Sequence, residues 1–318
     1  MPSDGELERH RRELTGYCYR MLGSPFDAED AVQETMLRAW RTLDRFDEGR
    51  ASLRTWLYQI ATNSCLDMLK GARRRARAMD LGPASDPGPD IGVRLPDQAW
   101  VQPMPDSWIL PTDADPAELA VARETVSLAF VAALQHLPPR QRAVLILREV
   151  LCLRAGEVAA LLGASTASVN SALQRARATL RNARPFAYQP YRPLDDEQQA
   201  LLARYVEAFE RYDVEALVSL LHEQATMSMP PYKWWLHGRT DIRYAMIASA
   251  GSCQGSRLVS TVANGLPAFG HYLADDGGGH RAFALVVVET FEGRIAGLTS
   301  YLDEPQLFSL FDLPPALR

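Results

Sequence analysis

An acidic, proline-rich segment at residues 79–116 separates the first quarter of the chain from the rest. It contains eight prolines and follows neither a helical nor a strand-like repeat of apolar residues. Residues 79–122 carry eight acidic side chains and one basic side chain, a balance typical of a solvated linker. A chain of 318 residues divided in this way is expected to form two or three domains. Trp100, Trp108 and Ile109 are too apolar for a passive spacer, so parts of the extended linker are expected to dock on another surface.

Several classes of protein are excluded by what the sequence lacks. No apolar run approaches the roughly 18–20 residues of a membrane-spanning helix, and the charged N-terminus has no apolar signal core. The four cysteines are far apart and form no C-x-x-C pair, which predicts buried thiols in a reducing compartment. We therefore expect a cytoplasmic protein without a membrane anchor, a metal site or a cofactor.

The blocks on either side of the linker have helical periodicity. In the first block, Ser24 can cap a helix that Pro25 begins, and a second helix follows Ser52. The block after the linker is strongly basic, because residues 123–184 carry nine basic and three acidic side chains. This charge is typical of a module that binds nucleic acid.

The region from Glu157 to Arg177 has the pattern of a helix-turn-helix. A short apolar helix reaches Gly163, where the chain must turn, and Ser165 or Thr166 can cap the next helix. The polar residues of that helix are predicted to face outward and to contact a DNA major groove: Thr166, Ser168, Asn170, Ser171, Gln174, Arg175 and Arg177. An ordinary helical hairpin with a solvated face is the alternative.

Two helix faces of the first block also suggest partners. The helix after Ser52 has polar, cationic and aromatic side chains opposite its apolar stripe, a mixture that suits single-stranded DNA. On the preceding helix, Asp30, Glu34, Arg38 and Arg41 share a side and suggest a docking surface, whereas Trp40 recurs with the apolar residues. A solvated charged face is the alternative for both helices.

These motifs resemble regions 2 and 4 of the extracytoplasmic-function sigma factors. The region 2 resemblance lies in Asp-Ala-Glu-Asp-Ala-Val-Gln-Glu-Thr at residues 27–35, in Phe46-Asp47, and in residues 52–63. The region 4 resemblance lies in Leu-Pro-Pro-Arg-Gln-Arg at residues 137–142 and in the end of the helix-turn-helix. The segment at residues 153–157 lacks the aromatic-acidic sequence pattern that is usual there in the family, which leaves promoter details open.

The resemblance implies two all-α modules, region 2 at residues 7–78 and region 4 at residues 117–184, joined by the linker at 79–116. Region 2 would bind the β′ clamp of core RNA polymerase and open the −10 promoter element, and region 4 would bind the −35 element and the β flap. The polymerase-binding residues would be Asp30, Glu34, Arg38 and Arg41. The −10 residues would be Arg50, Ser52, Arg54, Tyr58, Gln59, Asn63, Arg73, Arg74 and Arg75.

Residues 195–318 resemble a SnoaL-like, NTF2-like α+β cone. Strand-like runs appear at residues 282–288 and 295–301, and Glu292-Gly293 between them indicates a hairpin turn. Such cones enclose an apolar pocket, although a filled core is the alternative. The candidate pocket residues are His222, Met227, Met229, Tyr232, Trp234, Trp235, Phe283 and Tyr301. A loop containing Asp276, Gly277, Gly278 and Gly279 resembles a regulatory segment of sigma factors that carry this domain.

The sequence as a whole predicts a non-enzymatic sigma factor that directs core RNA polymerase to promoter DNA. The C-terminal domain would modulate its activity, with an anti-sigma protein or a small ligand as a further partner. One alternative is a SnoaL-like enzyme or ligand sensor fused to a DNA-binding module. Another is a protein that binds duplex DNA without polymerase.

Overall fold

The chain forms two compact units in a computed structural model. Unit 1 comprises Met1–Arg75 and Val101–Pro185, and unit 2 comprises Ala76–Trp100 and Phe186–Arg318. The segment that the sequence predicts to be one linker is therefore divided between the units after Trp100. The structure describes residues 4–49, 51–71, 74–88, 90–111, 115–182, 195–275 and 277–318.

Unit 1 is built from helices, as the two helical blocks of the sequence predict. Ser24 caps the helix Pro25–Arg41 by accepting a hydrogen bond from Asp27 N at 3.4 Å, and Pro25 occupies its first turn, as predicted. A single π-helical turn at Ile146–Val150 follows the helix Pro139–Leu145. The helices are α1 (Asp4–Glu8), α2 (Arg11–Leu22), α3 (Pro25–Arg41), α4 (Leu53–Met68), α5 (Asp106–Ile109), α6 (Pro116–Val126), α7 (Leu128–Gln135), α8 (Pro139–Leu145), α9 (Ala155–Leu162) and α10 (Thr166–Asn182).

Helix α2 lies at the centre of unit 1. Nine consecutive residues of this helix, from Leu14 to Leu22, are buried, so it is enclosed on all sides rather than on one face. It packs against α3 and α4 of the first helical block, against α5 in the second part of the linker, and against α7 and α8 from beyond the linker. The two helical blocks therefore share one core within unit 1.

Unit 2 is an α+β domain with one seven-stranded sheet. Its elements are α11 (Asp196–Glu210), α12 (Val214–Leu220), β1 (Leu221–Ser228), β2 (Trp235–His237), α13 (Arg239–Ala248), α14 (Ala250–Cys253), β3 (Arg257–Ala263), β4 (Leu266–Ala274), β5 (His280–Phe291), β6 (Arg294–Leu302), α15 (Pro305–Leu310) and β7 (Ala316–Leu317). The order of the strands is β2-β1-β6-β5-β4-β3, and β7 pairs with β5. Neighbouring strands are antiparallel except β1 and β6, which are parallel.

The hairpin predicted from Glu292-Gly293 is confirmed between β5 and β6. Both turn residues have positive φ, 50° at Glu292 and 70° at Gly293, which is the backbone of a two-residue turn that matches the twist of paired strands. Helices α11, α12 and α13 supply Tyr205, Leu217 and Met246 to an apolar core against the sheet. The predicted fold class, two helical modules and an α+β domain, is confirmed.

The first part of the linker is attached to unit 2 along one side of this domain. Ser85 N donates to Trp235 O at 2.8 Å, and Leu95 N donates to Pro231 O at 2.9 Å. Between these anchors Ile91 packs against the apolar core. The described residues 82–88 and 90–95, which we call the strap, are therefore held by backbone hydrogen bonds rather than left as a free spacer.

Candidate nucleic-acid interface

The helix-turn-helix has the local geometry that the sequence predicts. Helix α9 ends at Leu162 and is followed by the capping residue Gly163, whose φ of 59° is left-handed and suits glycine. Ser165 Oγ then accepts a hydrogen bond from Ser168 N at 3.2 Å, so Ser165 caps α10. A second cap, which sequence reasoning missed, lies before α9, where Glu157 accepts from Arg154 N at 2.6 Å.

Helix α10 separates its residues cleanly into two faces. Its inner face consists of Val169, Ala172, Leu173 and Ala176, all buried. Arg177 is held at 2.5 Å by Glu149, while its side chain remains exposed. All seven residues proposed to face duplex DNA are exposed: Thr166, Ser168, Asn170, Ser171, Gln174, Arg175 and Arg177. The arrangement presents hydroxyl, amide and guanidinium groups on one accessible surface.

Helix α4 presents only part of the face that the sequence assigns to the −10 element. Ser52 is exposed and caps the helix by accepting from Thr55 N at 3.2 Å. Gln59 and Asn63 are exposed one turn apart. Arg54 is half-buried and donates to Glu13 Oε2 at 2.8 Å, so it is already engaged within unit 1.

Tyr58 corrects the sequence-based expectation for α4. Its side chain is fully buried, with its ring 5.3 Å from that of Tyr17 and its hydroxyl donating to Glu13 Oε2 at 3.2 Å. Burial raises the pKa of Tyr58 well above its usual value. Tyrosine is apolar over most of its surface, so it packs inward here instead of offering a ring to an unstacked base.

The arginines that follow α4 are also divided. Arg74 is exposed, with Nη1 3.0 Å from His136 Nδ1. Arg75 is instead buried and forms an ion pair with Asp27 at 2.5 Å, a correction to its predicted exposure. A guanidinium that is paired and enclosed contributes little to a surface that binds phosphates. Arg50 and Arg73 lie outside the described residues.

Helix α3 combines charged and apolar groups on its outer side. Asp30 and Arg41 are exposed, and Glu34 pairs with Arg38 at 2.5 Å. Trp40, which the apolar spacing groups with the buried residues, is 63% exposed, and Leu37 of the same helix and Met68 at the end of α4 are exposed as well. Exposed large apolar side chains beside charges are typical of a surface that binds another protein.

Buried arginines connect the two helical blocks of unit 1. Arg142 of α8 donates to the carbonyl of Met21 on α2 and, at 2.5 Å, to Gln135 Oε1. Arg20 of α2 donates to Thr125 O on α6 at 2.9 Å. Burial lowers the pKa of both guanidinium groups to about 10, so each stays charged at neutral pH.

The second part of the linker is sealed into the same core. The Tyr19 hydroxyl donates to Gln102 O at 2.8 Å, and the Ser24 hydroxyl donates to Gln102 Oε1 at 2.7 Å. In return, Gln102 N donates to Gly23 O at 3.0 Å. Gln102 is buried. Neither this residue nor the buried arginines stand out in the sequence as structural ties, because polar residues are ordinarily exposed.

Unit 2 encloses a cavity of about 280 Å³. Met227, Met229 and Phe283 contribute to its wall, as the sequence-based assignment expects. The other candidates lie elsewhere: Trp234 and Tyr301 are buried outside the lining, and Trp235 Nε1 donates to Gly82 O of the strap at 3.1 Å. His222 lies in β1 with its ring 5.7 Å from that of Phe291. Tyr232 forms a backbone bridge with Arg94 of the strap.

The glycine-rich loop before β5 is closed by its own hydrogen bonds. Asp275 Oδ1 accepts from Gly277 N at 2.8 Å and from Gly279 N at 3.0 Å. Gly278 has a φ of 80°, which a residue with a side chain rarely adopts. Asp276 lies outside the described residues. The described part of the loop is thus an Asx-type turn within unit 2.

Both helical modules of the chain match models of known protein families. Residues 7–75 match the family model of Sigma-70 region 2, and residues 127–180 match that of Sigma-70, region 4. The ECF RNA polymerase sigma factor SigG of Mycobacterium tuberculosis H37Rv is 46% identical over 314 residues, covering 98% of this chain and 83% of that protein. SigJ of the same organism is 30% identical over 226 residues, covering 70% of this chain and 63% of that protein.

A solved structure supports the fold of the whole chain. The crystal structure of Mycobacterium tuberculosis SigJ superposes with a TM-score of 0.63 at 22% identity, covering 98% of this chain and 100% of that one. Two helical modules that match sigma regions 2 and 4 define a sigma factor of RNA polymerase. The extent of the similarity to SigG then shows that the chain belongs to the extracytoplasmic-function group of these factors. Sigma factors bind core RNA polymerase and promoter DNA.

No helix within the described residues combines the length and the apolar character that crossing a membrane requires.

Proposed function

We propose that α10 reads the −35 promoter element and that the exposed part of α4 contacts the −10 element. The observation that carries this proposal is the exposed polar face of α10, seven side chains of which Arg177 also pairs with Glu149, opposite a buried apolar face. Amide groups such as Asn170 and Gln174 suit adenine edges, and Arg175 suits guanine or phosphate. On α4, Ser52, Gln59, Asn63 and Arg74 take the −10 role, together with Arg54 if it leaves Glu13.

The test is holoenzyme binding to a library of promoter fragments in which the −35 positions vary. Asn170→Ala and Gln174→Ala should each relax the preference at one base position, by about 1–3 kcal/mol of discrimination. Arg175→Ala should weaken binding across all sequences and reduce the salt dependence by about one released ion if it contacts phosphate. Asn63→Ala on α4 is the control, because it should leave the −35 preference unchanged. Unchanged preference in both α10 variants would refute the proposal for α10.

Docking on polymerase is proposed for the outer side of α3. Asp30, Glu34, Arg38 and Arg41 would contact the β′ clamp, while Trp40 supplies an exposed aromatic anchor of the kind that dominates protein interfaces. Trp40→Ala should weaken binding to core RNA polymerase at least tenfold without lowering the melting temperature. Tyr244→Ala is the matched control, because Tyr244 is equally exposed but lies on unit 2. Equal affinities for both variants would remove α3 from the interface. Region 4 would contact the β flap of core RNA polymerase.

The C-terminal domain is proposed to modulate this activity in the cytoplasm without catalysis. Its support is the strap, a part of the chain between regions 2 and 4 that is held on unit 2 by Arg94 Nη2 and Glu304 Oε1 at 2.8 Å and by backbone bonds. The enzyme alternative finds less support, because the cavity histidine His271 hydrogen-bonds Ser256 rather than a carboxylate.

A charge-swap series tests this modulation. Arg94→Glu should release the strap and change promoter-specific transcript yield in vitro at least twofold, and adding Glu304→Arg should restore the original yield. Glu215→Arg, which reverses an exposed charge paired with Arg243, is the control. Identical yields from all four proteins would contradict a regulatory role for the strap.

A further inference from the structure

The cavity of unit 2 has the size and lining of a binding site for a small apolar molecule. An apolar cavity of about 150 Å³ can hold one benzene ring, and this one measures about 280 Å³. The lining residues include no Asp, Glu, Lys or Arg, so an ionised ligand would lose its hydration without gaining a partner charge. Its large apolar side chains include Tyr205, Phe209, Met227, Met229, Met246 and Phe283.

One buried polar group in the wall has a defined hydrogen-bonding role. His271 is 4% exposed and its ring lies edge-on between Phe209 and Phe283. Its Nε2 is 2.9 Å from Ser256 Oγ, and that hydroxyl donates its single hydrogen to Cys253 O at 2.7 Å. Ser256 must therefore accept from His271 Nε2–H, which leaves Nδ1 as a bare acceptor. Within the described part of the chain, Nδ1 has no hydrogen-bond partner.

Two further hydroxyl groups in the wall point to the same ligand chemistry. Tyr212 donates to Met246 O at 2.9 Å, and Ser249 donates to Ala245 O at 2.9 Å. Because each has committed its hydrogen to the backbone, each can only accept from a ligand. Burial also lowers the pKa of His271 to about 4, so the ring is neutral at physiological pH. The hydroxyl groups of Tyr205, Ser252 and Ser300 also line the cavity and can donate as well as accept, so the preference for a neutral ligand that carries a donor rests on His271 Nδ1.

The strap forms part of the same wall. Ile91 lines the cavity and lies between the two backbone anchors, Ser85 N on Trp235 O and Leu95 N on Pro231 O. Val93, two residues further on, is 83% exposed and does not line the cavity. A molecule in the cavity would contact Ile91 directly, so its binding would favour the attached state of the strap.

We propose that unit 2 binds a neutral, apolar ring compound with a hydroxyl donor, of the phenol or fused-ring alcohol class, between His271 and the strap residue Ile91, and that binding holds the strap in place. The binding itself does not depend on the proposed promoter contacts. Only its consequence for transcription rests on the proposed function of the strap, which lies in the chain between regions 2 and 4.

The experiment titrates the full-length protein with 2-naphthol, 2-methoxynaphthalene and 2-naphthoate. We expect 2-naphthol to bind, 2-methoxynaphthalene to bind about three- to tenfold more weakly because it lacks the donor, and the naphthoate anion to bind more weakly still. His271→Phe should lower the affinity for 2-naphthol to that of the methyl ether and leave the ether unaffected. Equal affinities of the wild type for all three compounds, or no binding of any, would overturn the proposal.

A second pair of variants tests the strap. Ile91→Asp should weaken 2-naphthol binding more than tenfold, whereas Val93→Asp should bind as the wild type does. In hydrogen–deuterium exchange, 2-naphthol should slow exchange of the Ser85 and Leu95 amides in the wild type and in Val93→Asp, but not in Ile91→Asp. Unchanged exchange with the site saturated would overturn the coupling, whatever the result of any transcription assay.

A variant that keeps the histidine guards against misfolding of His271→Phe. Ser256→Ala removes the acceptor that fixes the tautomer, so Nδ1 can carry the hydrogen. The preference for 2-naphthol over its methyl ether should then fall toward unity, while melting remains cooperative. A preference that Ser256→Ala leaves intact would refute the role assigned to the Nδ1 acceptor.

Discussion

The two units bury ionisable groups in opposite ways. Unit 1 keeps two arginines charged in its interior, because Arg20 and Arg142 are surrounded by carbonyl and amide oxygens of several helices. Unit 2 keeps its buried histidine neutral among aromatic rings. In unit 1, directional hydrogen bonds from these buried charges therefore join helices that are far apart in the chain. Apolar packing in unit 2 instead surrounds a cavity of about 280 Å³.

The largest expected effect lies in unit 1. Arg142→Ala leaves Met21 O and the Gln135 and Leu137 oxygens without a buried donor. The free energy of unfolding should fall by about 3–5 kcal/mol. Urea unfolding of the full-length protein, with hydrogen exchange of α2 and α7 amides, measures it. Arg140→Ala, an exposed neighbour, should change it by less than about 0.5 kcal/mol. A loss below 1 kcal/mol for Arg142→Ala would contradict the role of buried charge in unit 1.

The next effect belongs to His271 and depends on pH. Burial lowers its pKa from 6.5 to about 4, so below pH 6.5 the unfolded chain binds a proton that the folded domain does not. The free energy of unfolding of unit 2 should therefore fall as pH drops from 6.5 to 4, by up to about 3 kcal/mol. His271→Phe should flatten this dependence, measured by exchange of β3–β5 amides. The exposed His237→Asn should retain it. A steep dependence in His271→Phe would assign the titration to another group.

A smaller effect is expected at the tie between α3 and the second part of the linker. Ser24→Ala removes the cap of α3 and the hydrogen bond to Gln102 Oε1 at 2.7 Å. It should cost about 1–2 kcal/mol in the free energy of unfolding. Ser52→Ala, which removes an exposed cap and an exposed hydrogen bond to Thr55 Oγ1, should cost about 0.5–1 kcal/mol. If both variants unfold alike in urea, the bond to Gln102 contributes nothing.

The smallest effect concerns Glu304 at the strap. Burial, with Asp97 nearby, raises its pKa to about 7, so between pH 4.5 and 7 the folded domain binds a proton that the unfolded chain has lost. Its contribution to stability is therefore present below pH 4.5 and is lost as pH rises through 7, opposite in direction to that of His271. Because its partner Arg94 is partly exposed, Glu304→Gln should flatten this slope by less than about 1 kcal/mol. Glu215→Gln, an exposed control, should leave the slope unchanged. The measurement is the melting temperature of each variant and of the wild type from pH 5 to 8.

The sequence predicts α10 better than α4 for a physical reason. Small and aliphatic residues alternate with polar ones on α10, so its inner and outer faces follow from helical spacing. Tyr58 on α4 and Trp40 on α3 are amphipathic, and spacing does not decide whether such a ring is buried or exposed. The structure buries Tyr58 against Tyr17 and leaves Trp40 exposed, the reverse of the sequence-based expectation.

Composition also misjudges the linker. Proline and acidic residues predict an extended spacer, but hydrogen-bonding backbone and isolated apolar residues still find partners on folded surfaces. Ile91 packs on unit 2 and Gln102 is sealed in unit 1, contacts between residues far apart in the chain. Neither contact leaves a local pattern, since each depends on a complementary surface built by other segments.

The sequence by itself determines the two helical modules, the helix-turn-helix with its exposed face, the caps at Ser24 and Ser165, and the hairpin at Glu292-Gly293. These features follow from interactions within a few residues, which propensity and periodicity express directly. Only the tertiary structure decides which half of the linker joins which unit, that Arg142 and Arg75 are buried, and that Ile91 and His271 face one cavity. Those outcomes depend on desolvation and pairing between distant segments, and their free energies exist only once the chain has folded.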